Sequence, residues 1–360
     1  ALASAMGAAI LERPRRDPDR SPPPLTLTEH LKAIESLYGG QSVRQVQPRR
    51  LPLVSSMPVG QVQRSPLAFT ARTRSDQPVW PVETPRSSGL LCRGWAPDAG
   101  GVESHTQGLA RALLAAGLRV EVLCTDRDPT RPAYTWGEWV VGGVRVRRMN
   151  LPGASPTNLE SLDSDAQADA RVREWLAQTQ PDLVHIHHLS GFGFGALAEI
   201  ERSGLGAIVS LHDYWTLCPR GQMFSANSES CTRVDPGVCS DCIAQTWPEM
   251  SPAPEEVSQR LERARQALGS ARLLIVPSRA AADVLQGAGF GGLEFTCVPN
   301  GIDGDELARE VTRLRAGRPT GQRLGVIGAV QPSTRVLALA QARSHAHAPG
   351  PVLAGPGPLP

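Results

Sequence analysis

Lysine is all but missing from this chain. Of its 37 basic residues, Lys32 alone is a lysine and the others are arginines. Carboxylate side chains stop at Glu310. No apolar run approaches the roughly 18 residues that a membrane span requires, so any membrane contact is expected to be peripheral. Aromatics make up only 4% of the chain and the formal charge is +2. With no dense basic stripe interleaved with aromatics, composition gives nucleic-acid binding no support. The apolar opening ALASAMGAAI has no basic region before it and runs straight into LERPRRDPDR, which is not the pattern of a secretory signal. Seven cysteines, an odd number with one tight cluster, fit a reducing compartment and a metal site better than a secreted disulfide framework, so the expected location is cytoplasmic.

Proline (32) and glycine (35) are abundant and unevenly spread. Residues 1–88 carry RPRRDPDRSPPP, QPRRLPL and PVWPVETPRSS around a single helical pattern at Leu25–Leu37. One amphipathic helix among so many prolines buries little surface, so this arm is expected to be largely disordered. From residue 89 to 303 the texture changes to short apolar runs alternating with helical periodicity. Strands are expected at Gly89–Trp95, Arg119–Thr125, Asp182–His188, Ala207–Leu211, Arg272–Pro277 and Glu294–Pro299. A strand or tight hairpin is expected over Trp139–Met149. Helices are expected at Val102–Ala116, Leu159–Gln178, Phe192–Arg202, Glu255–Leu268 and Arg279–Gly287. Strands joined by helices of this length predict a mostly parallel, doubly wound, Rossmann-like α/β sheet. Residues 304–360 read as a linker helix, one further strand at Leu324–Val330, and a tail without periodicity.

Four features of the domain carry chemistry. Gly100-Gly101 ends a Pro/Gly turn and opens a helix, a place where backbone N–H groups and the helix dipole favour a diphosphate, although Gly-Gly before a helix also makes an ordinary turn. His185, His187 and His188 fall on one strand, with His187 or His188 expected to line a cleft and a metal reading weak for want of a third ligand. His212 and Asp213 end the next strand, where open α/β sheets place their ligands; Asp213 reads either as a general base or as a cap. Finally, Cys218, Cys231, Cys239 and Cys242 are spaced C-x12-C-x7-C-x2-C within the insertion 214–247. This spacing fits a structural zinc ion, an iron–sulfur site or unligated thiols. Cys92, Cys124 and Cys297 read as small buried apolar residues in strands. A nicotinamide cofactor at Gly100-Gly101 is disfavoured because the G-x-G-x-x-G spacing is absent.

In order and spacing, APDAGGVESHTQGLARAL, PDLVHIHH, SLHDYWTLCPR and LLIVPSRAAADVLQGAG followed by VPNGID resemble the N-terminal half of a retaining, family-4-type glycosyltransferase of the two-domain GT-B fold. The resemblance covers about Trp95–Asp303. It implies transfer of a sugar from a UDP- or GDP-sugar donor to a hydroxyl of a glycan or lipid-linked acceptor. It also implies a glycine loop at Gly100 and Gly101 near the donor phosphate, His212 against the transferred sugar, and Asn300 at the inter-domain junction Asn300–Asp303. Enzymes of this kind present no obvious protein nucleophile, so positioning and charge stabilisation would be the protein's main contribution.

The same resemblance implies a second domain that grips the donor diphosphate with an Arg and a Lys and the sugar with two glutamates spaced E-x7-E. With no lysine after Lys32 and no carboxylate after Glu310, neither feature is present. The segment VIGAVQPSTRVLALAQA resembles the opening of that domain, which is expected to break off after it. The competing reading is a catalytically silent domain that binds an acceptor or partner and is braced by zinc. Without charge-assisted contacts to the diphosphate, the isolated chain is expected to be a poor or inactive transferase; steady-state assay with nucleotide sugars checks this, and turnover at ordinary enzyme rates would contradict it.

Overall fold

In a computed structural model of the chain, side-chain alternation along the strands divides the apolar residues between two cores. The structure describes residues 85–95, 100–152, 157–227, 229–231 and 233–301, with short further pieces at 308–309, 312–313, 325–327 and 352–354. The predicted helix at 25–37, nearly all of the arm and most of the linker helix lie outside the described residues.

The domain runs β1 (Ser87–Leu91), α1 (Gly101–Ala115), β2 (Arg119–Asp126), β3 (Trp136–Val141) and β4 (Val144–Asn150). Next come α2 (Leu159–Asp163), α3 (Ala166–Thr179), β5 (Leu183–Ile186), α4 (Gly195–Arg202) and β6 (Ala207–Ser210). It ends with α5 (Pro236–Thr246), α6 (Pro254–Ser270), β7 (Leu273–Val276), α7 (Arg279–Leu285), which passes into a π turn, and β8 (Phe295–Cys297). The eight strands form one sheet in the order β3-β4-β2-β1-β5-β6-β7-β8. Every pairing is parallel except the β3–β4 hairpin. The doubly wound Rossmann-like prediction holds. The chain builds outward from β1 on one side, then returns to lay β5 against the other, so the order reverses between β1 and β5. Such switch points open a crevice at the carboxyl ends of the strands. Among the described residues, no helix is long and apolar enough to cross a membrane.

Adjacent residues on the central strands go to opposite faces. Leu91, Leu123 and Val209 join the core beneath α3, α4 and α6, whereas Leu90, Val122 and Ile208 join the core beneath α1. The first strand, Ser-Ser-Gly-Leu-Leu, is a poor strand by propensity yet wholly buried at the centre of the sheet. Gly89 explains it: a Cβ there would stand 2.6 Å from the Trp175 indole, so the missing side chain lets the largest buried residue of α3 lie against the strand.

Several expected boundaries moved. The helix expected over Leu159–Gln178 is two helices, because Asp165 leaves helical geometry to cap α3 by accepting from the Gln167 and Ala168 N–H groups. The cysteine insertion, for which no helix was expected, contains α5, capped by Asp235, which accepts the Val238 N–H. Cys92 and Cys124 are buried as expected, but Cys297 is exposed, since it ends the edge strand β8. The tail read as aperiodic contains β10 (Val352–Ala354), paired in parallel with β9 (Gly325–Ile327).

Asp169, on the first turn of α3, is held against Gly195, where a Cβ would come within 2.2 Å of its carboxylate. Burial first, then the charges of Glu199 and Asp165, raise its carboxyl to about 6. A raised folded-state value costs stability as pH climbs from the unfolded value near 4 through about 6. Asp169→Asn is therefore expected to stabilise the domain at pH 7 by about 1 kcal/mol, allowing for its partial exposure, and not at pH 4, as measured by urea denaturation at the two pH values.

Candidate functional site

Three histidines from three elements meet at the switch point. The ladder between β1 and β5 continues one residue past β5, where the His187 N–H donates to the Leu91 carbonyl at 2.7 Å. That bond fixes His187 at the crevice floor, where it is buried. His212, two residues past β6, lies with Nε2 3.1 Å from His187 Nδ1, and the two rings stack at 5.4 Å. His105, one turn into α1, brings its ring to 4.8 Å from His212 and 5.5 Å from His187. His105 and His212 are half-buried, so the group is closed below and open above. Below it, buried His185 lies 2.8 Å from Ser210 Oγ and its ring 4.1 Å from that of His187.

Asp213 and His188 form a second layer. His188 Nδ1 accepts the Ser190 N–H at 2.9 Å, which leaves its Nε2 to donate to Asp213 Oδ2 at 3.1 Å. Asp213 Oδ1 also accepts the Trp215 N–H at 2.9 Å. Burial alone would raise this carboxyl, but the His188 and Trp215 hydrogen bonds and the charge of His212 hold it below the usual carboxylate value. A carboxylate so stabilised is a weak proton acceptor. Of the two roles open to Asp213 in the sequence, the geometry favours closing the turn and locking the β5 and β6 loops together.

The β6 loop is clamped from behind. Arg260 of α6, buried to 1% exposure, donates to the carbonyls of Trp215 at 2.9 Å and Thr216 at 3.2 Å. Its guanidinium lies over the Trp215 ring at 5.0 Å and that of Phe194 at 5.7 Å. The opposing charge is Asp163, at the end of α2, 3.0 Å from Arg260 Nε and 2.7 Å from Arg263.

Beside the histidines a cleft of about 730 Å³ opens between the β1, β2 and β5 loops. Its walls mix Trp95, Tyr134, Leu151 and Phe192 with Arg93, Arg127, Arg148, Glu103, Asp126 and Asp165. A rim apolar in part and bearing both charges suits a polar ligand with an apolar portion. The loop over the cleft hangs on Asn150, whose side chain donates to the carbonyls of Asp128, Arg131 and Pro132 and accepts the Asp128 N–H. Gly193 shapes the floor: its φ is +70° and a Cβ would meet the Asp163 carbonyl at 2.3 Å.

The structure redistributes the other predicted site residues. Gly100 has φ −88°, a conformation open to any residue, and its N–H is taken by Glu103 Oε2 at 2.9 Å. Neither Gly100 nor Gly101 has positive φ, so neither makes a turn that only glycine can make; a Cβ at Gly101 would meet nothing within 4 Å, whereas one at Gly100 would stand 2.8 Å from Glu103 Oε2. Asn300 is exposed, beyond the edge strand β8. Cys218, Cys231, Cys239 and Cys242 are free thiols grouped around the start of α5. Burial raises Cys218, Cys231 and Cys239, and neighbouring cysteines push each further up. Cys242 Sγ accepts the Ala226 N–H at 3.3 Å. Among the described residues, the group whose donor atoms come within metal-ligand reach is His105, His187 and His212, not these four sulfurs. His105 falls within the helix expected over Val102–Ala116. Its spacing from Gly101 puts it one turn up the helix, on the face turned to the crevice, a position visible only once α1 is placed against β5 and β6.

A parallel α/β sheet with its crevice at a switch point, floored by the ends of β5 and β6 and walled by a glycine-led helix, is the architecture of the N-terminal domain of a GT-B glycosyltransferase. Residues 99–306, more than half of the chain, match the model of Glycosyltransferase Family 4, and the chain belongs to that family. A stretch of 99 residues is 30% identical to a phosphatidyl-myo-inositol mannosyltransferase of Mycobacterium leprae (strain TN), covering 28% of this chain and 24% of that protein. The chain thus matches about a quarter of that relative's length. Similar solved structures include a sucrose-phosphate synthase from Thermosynechococcus elongatus, at 14% identity and TM-score 0.36 over 64% of this chain and 97% of that one. Another is an E. coli trehalose-6-phosphate structure with bound UDP-2-fluoro glucose, at 13% identity and TM-score 0.43 over 75% and 65%.

Removing Asp163 would leave Arg260 buried without its fully buried counter-ion. Asp163→Ala is expected to cost about 3–5 kcal/mol and to loosen residues 212–216, read by chemical denaturation and by faster amide exchange in that loop.

Proposed function

We propose that this domain takes part in transfer of a sugar from a nucleotide-sugar donor, a UDP- or GDP-sugar, to a hydroxyl of a glycan or lipid-linked acceptor. The observation that carries this reading is the convergence of His212, His187 and the start of α1 on one crevice beside the large cleft. The half-buried His212 faces the space a transferred sugar would take, and an imidazole there can donate to a sugar hydroxyl or steady developing charge. His187 fixes the orientation of His212, and Asp213 holds the loop. The cleft walled by Trp95, Tyr134 and the three arginines is assigned to the acceptor.

The name of the mycobacterial relative, a phosphatidyl-myo-inositol mannosyltransferase, supports a hexosyl donor and a lipid-linked acceptor. An acceptor of that kind would bring the domain to a membrane surface peripherally. Free thiols at every cysteine support a reducing, cytoplasmic setting. In this reading the domain contributes the contacts to the sugar end and the acceptor, and a facing domain would grip the donor diphosphate. Asn300, past the last strand of the sheet, is assigned to the hinge toward that facing domain.

The reading is tested by calorimetric titration of the full chain with UDP- and GDP-sugars. One of the two is expected to bind, and His212→Ala is expected to weaken it at least tenfold, about 1.4 kcal/mol, with the circular dichroism spectrum unchanged. Binding of neither nucleotide sugar, or equal binding by the variant, would contradict it.

A further inference from the structure

We infer that the cleft beside the histidines takes a sugar acceptor that carries a phosphate group, held by Arg93, Arg127 and the indole N–H of Trp95. The inference rests on the assignment of this cleft to the acceptor and adds the chemical class of what binds there. Trp95 follows β1 and is buried to 3% exposure, yet it lines the cleft. Its Nε1 hydrogen has no partner within the protein. A buried donor left unpaired is costly, and native interiors keep few of them. Because Trp95 lines the cleft, an oxygen bound there can supply what the indole lacks.

The sheet brings the two arginines to the same place. The β1–β2 ladder continues past β1, where the Arg93 carbonyl accepts the Thr125 N–H at 3.2 Å and the Thr125 hydroxyl at 2.6 Å. Arg127 lies two residues beyond Thr125, so both side chains leave neighbouring strands at their carboxyl ends, and both line the cleft. Among the described residues Arg93 has no counter-ion, and the Arg127 guanidinium donates to the Pro152 carbonyl at 2.6 Å, not to a carboxylate. The carboxylates of the cleft are engaged elsewhere. Glu103 accepts the Gly100 N–H at 2.9 Å, Asp126 pairs with Arg131 at 2.5 Å, and Asp165 accepts the Tyr134 hydroxyl at 2.5 Å while capping α3. Guanidinium and indole groups donate hydrogen bonds and accept none. Such a set fits phosphate oxygens, which guanidiniums bind through paired N–H groups, better than neutral hydroxyls.

The test follows the Trp95 indole N–H signal by NMR while the full chain is titrated with inorganic phosphate. The signal is assigned by its loss in Trp95→Phe. It is expected to move downfield and saturate, with glycerol giving no shift. Arg93→Gln and Arg127→Gln are each expected to weaken binding tenfold or more, whereas Arg145→Gln, outside the cleft, leaves it unchanged. Glycerol 3-phosphate and phosphatidylglycerol vesicles separate a soluble phosphorylated acceptor from a lipid headgroup, the source being the one that gives the same shift at lower concentration. No saturable shift with phosphate or either ester would overturn the inference, as would unchanged affinity in both arginine variants. Displacement of the bound phosphate by a UDP- or GDP-sugar would also overturn it, because the site would then belong to the donor. The sugar-transfer reading fails separately, through absence of nucleotide-sugar binding at His212 while phosphate binding stays intact.

Discussion

The buried ion pair between Arg260 and Asp163 is the constraint on which the site depends. Both groups are 1% exposed, and a pair taken so far from water is retained only when geometry and further hydrogen bonds offset the loss of hydration. Here Arg260 spends its remaining donors on the carbonyls of Trp215 and Thr216, and Asp163 receives Arg263 as well. The pair therefore joins α6 to α2 and both to the loop that carries His212. Asp163 also ends the helix whose backbone carbonyl accepts the Phe194 N–H, the contact that admits no side chain at Gly193. One interaction thus sets the position of the β6 loop and, through Gly193, the course of the β5 loop.

With those loops set, the second layer follows. Asp213 and His188 link the two loops to each other, and His187 and His212 are left facing one another across the crevice. The arrangement separates tasks. Residues with strong, fixed partners hold the floor, while half-buried His212 and His105 face the open side, where a ligand would meet them.

Much of this was legible in the sequence, and what was not has physical reasons. Period-two alternation and helical spacing placed nearly every element between residues 89 and 303, because parallel strands buried on both faces read as short apolar runs between crossovers. His212 could be singled out since strand ends in such sheets are where ligands bind. The hairpin was among the readings open at Trp139–Met149, whereas the edge exposure of Cys297 required strand pairing that sequence does not give, and the break at Ser164-Asp165 interrupts a continuous helical spacing. His105 lies within the helix expected over Val102–Ala116, and its proximity to His187 and His212 comes from α1 lying across β5 and β6, a tertiary fact. Arg260 and Asp163 lie 97 positions apart in the sequence, and a basic residue on an amphipathic helix reads as solvent-facing until its burial is seen. At Gly100 and Gly101, where the sequence allows either a phosphate-favouring helix start or an ordinary turn, the backbone has no positive φ.

In the proposed function, the crevice above His187 and His212 receives the sugar end of a nucleotide sugar. The most direct measurement is NMR of the histidine ring signals of the full chain during titration with UDP- and GDP-sugars. The account predicts that the signals of His187, His212 and His105 move together and saturate with one of the two donors, while those of His30, His345 and His347 stay in place. Saturable shifts confined to the latter three, or no shift with either donor, would contradict it.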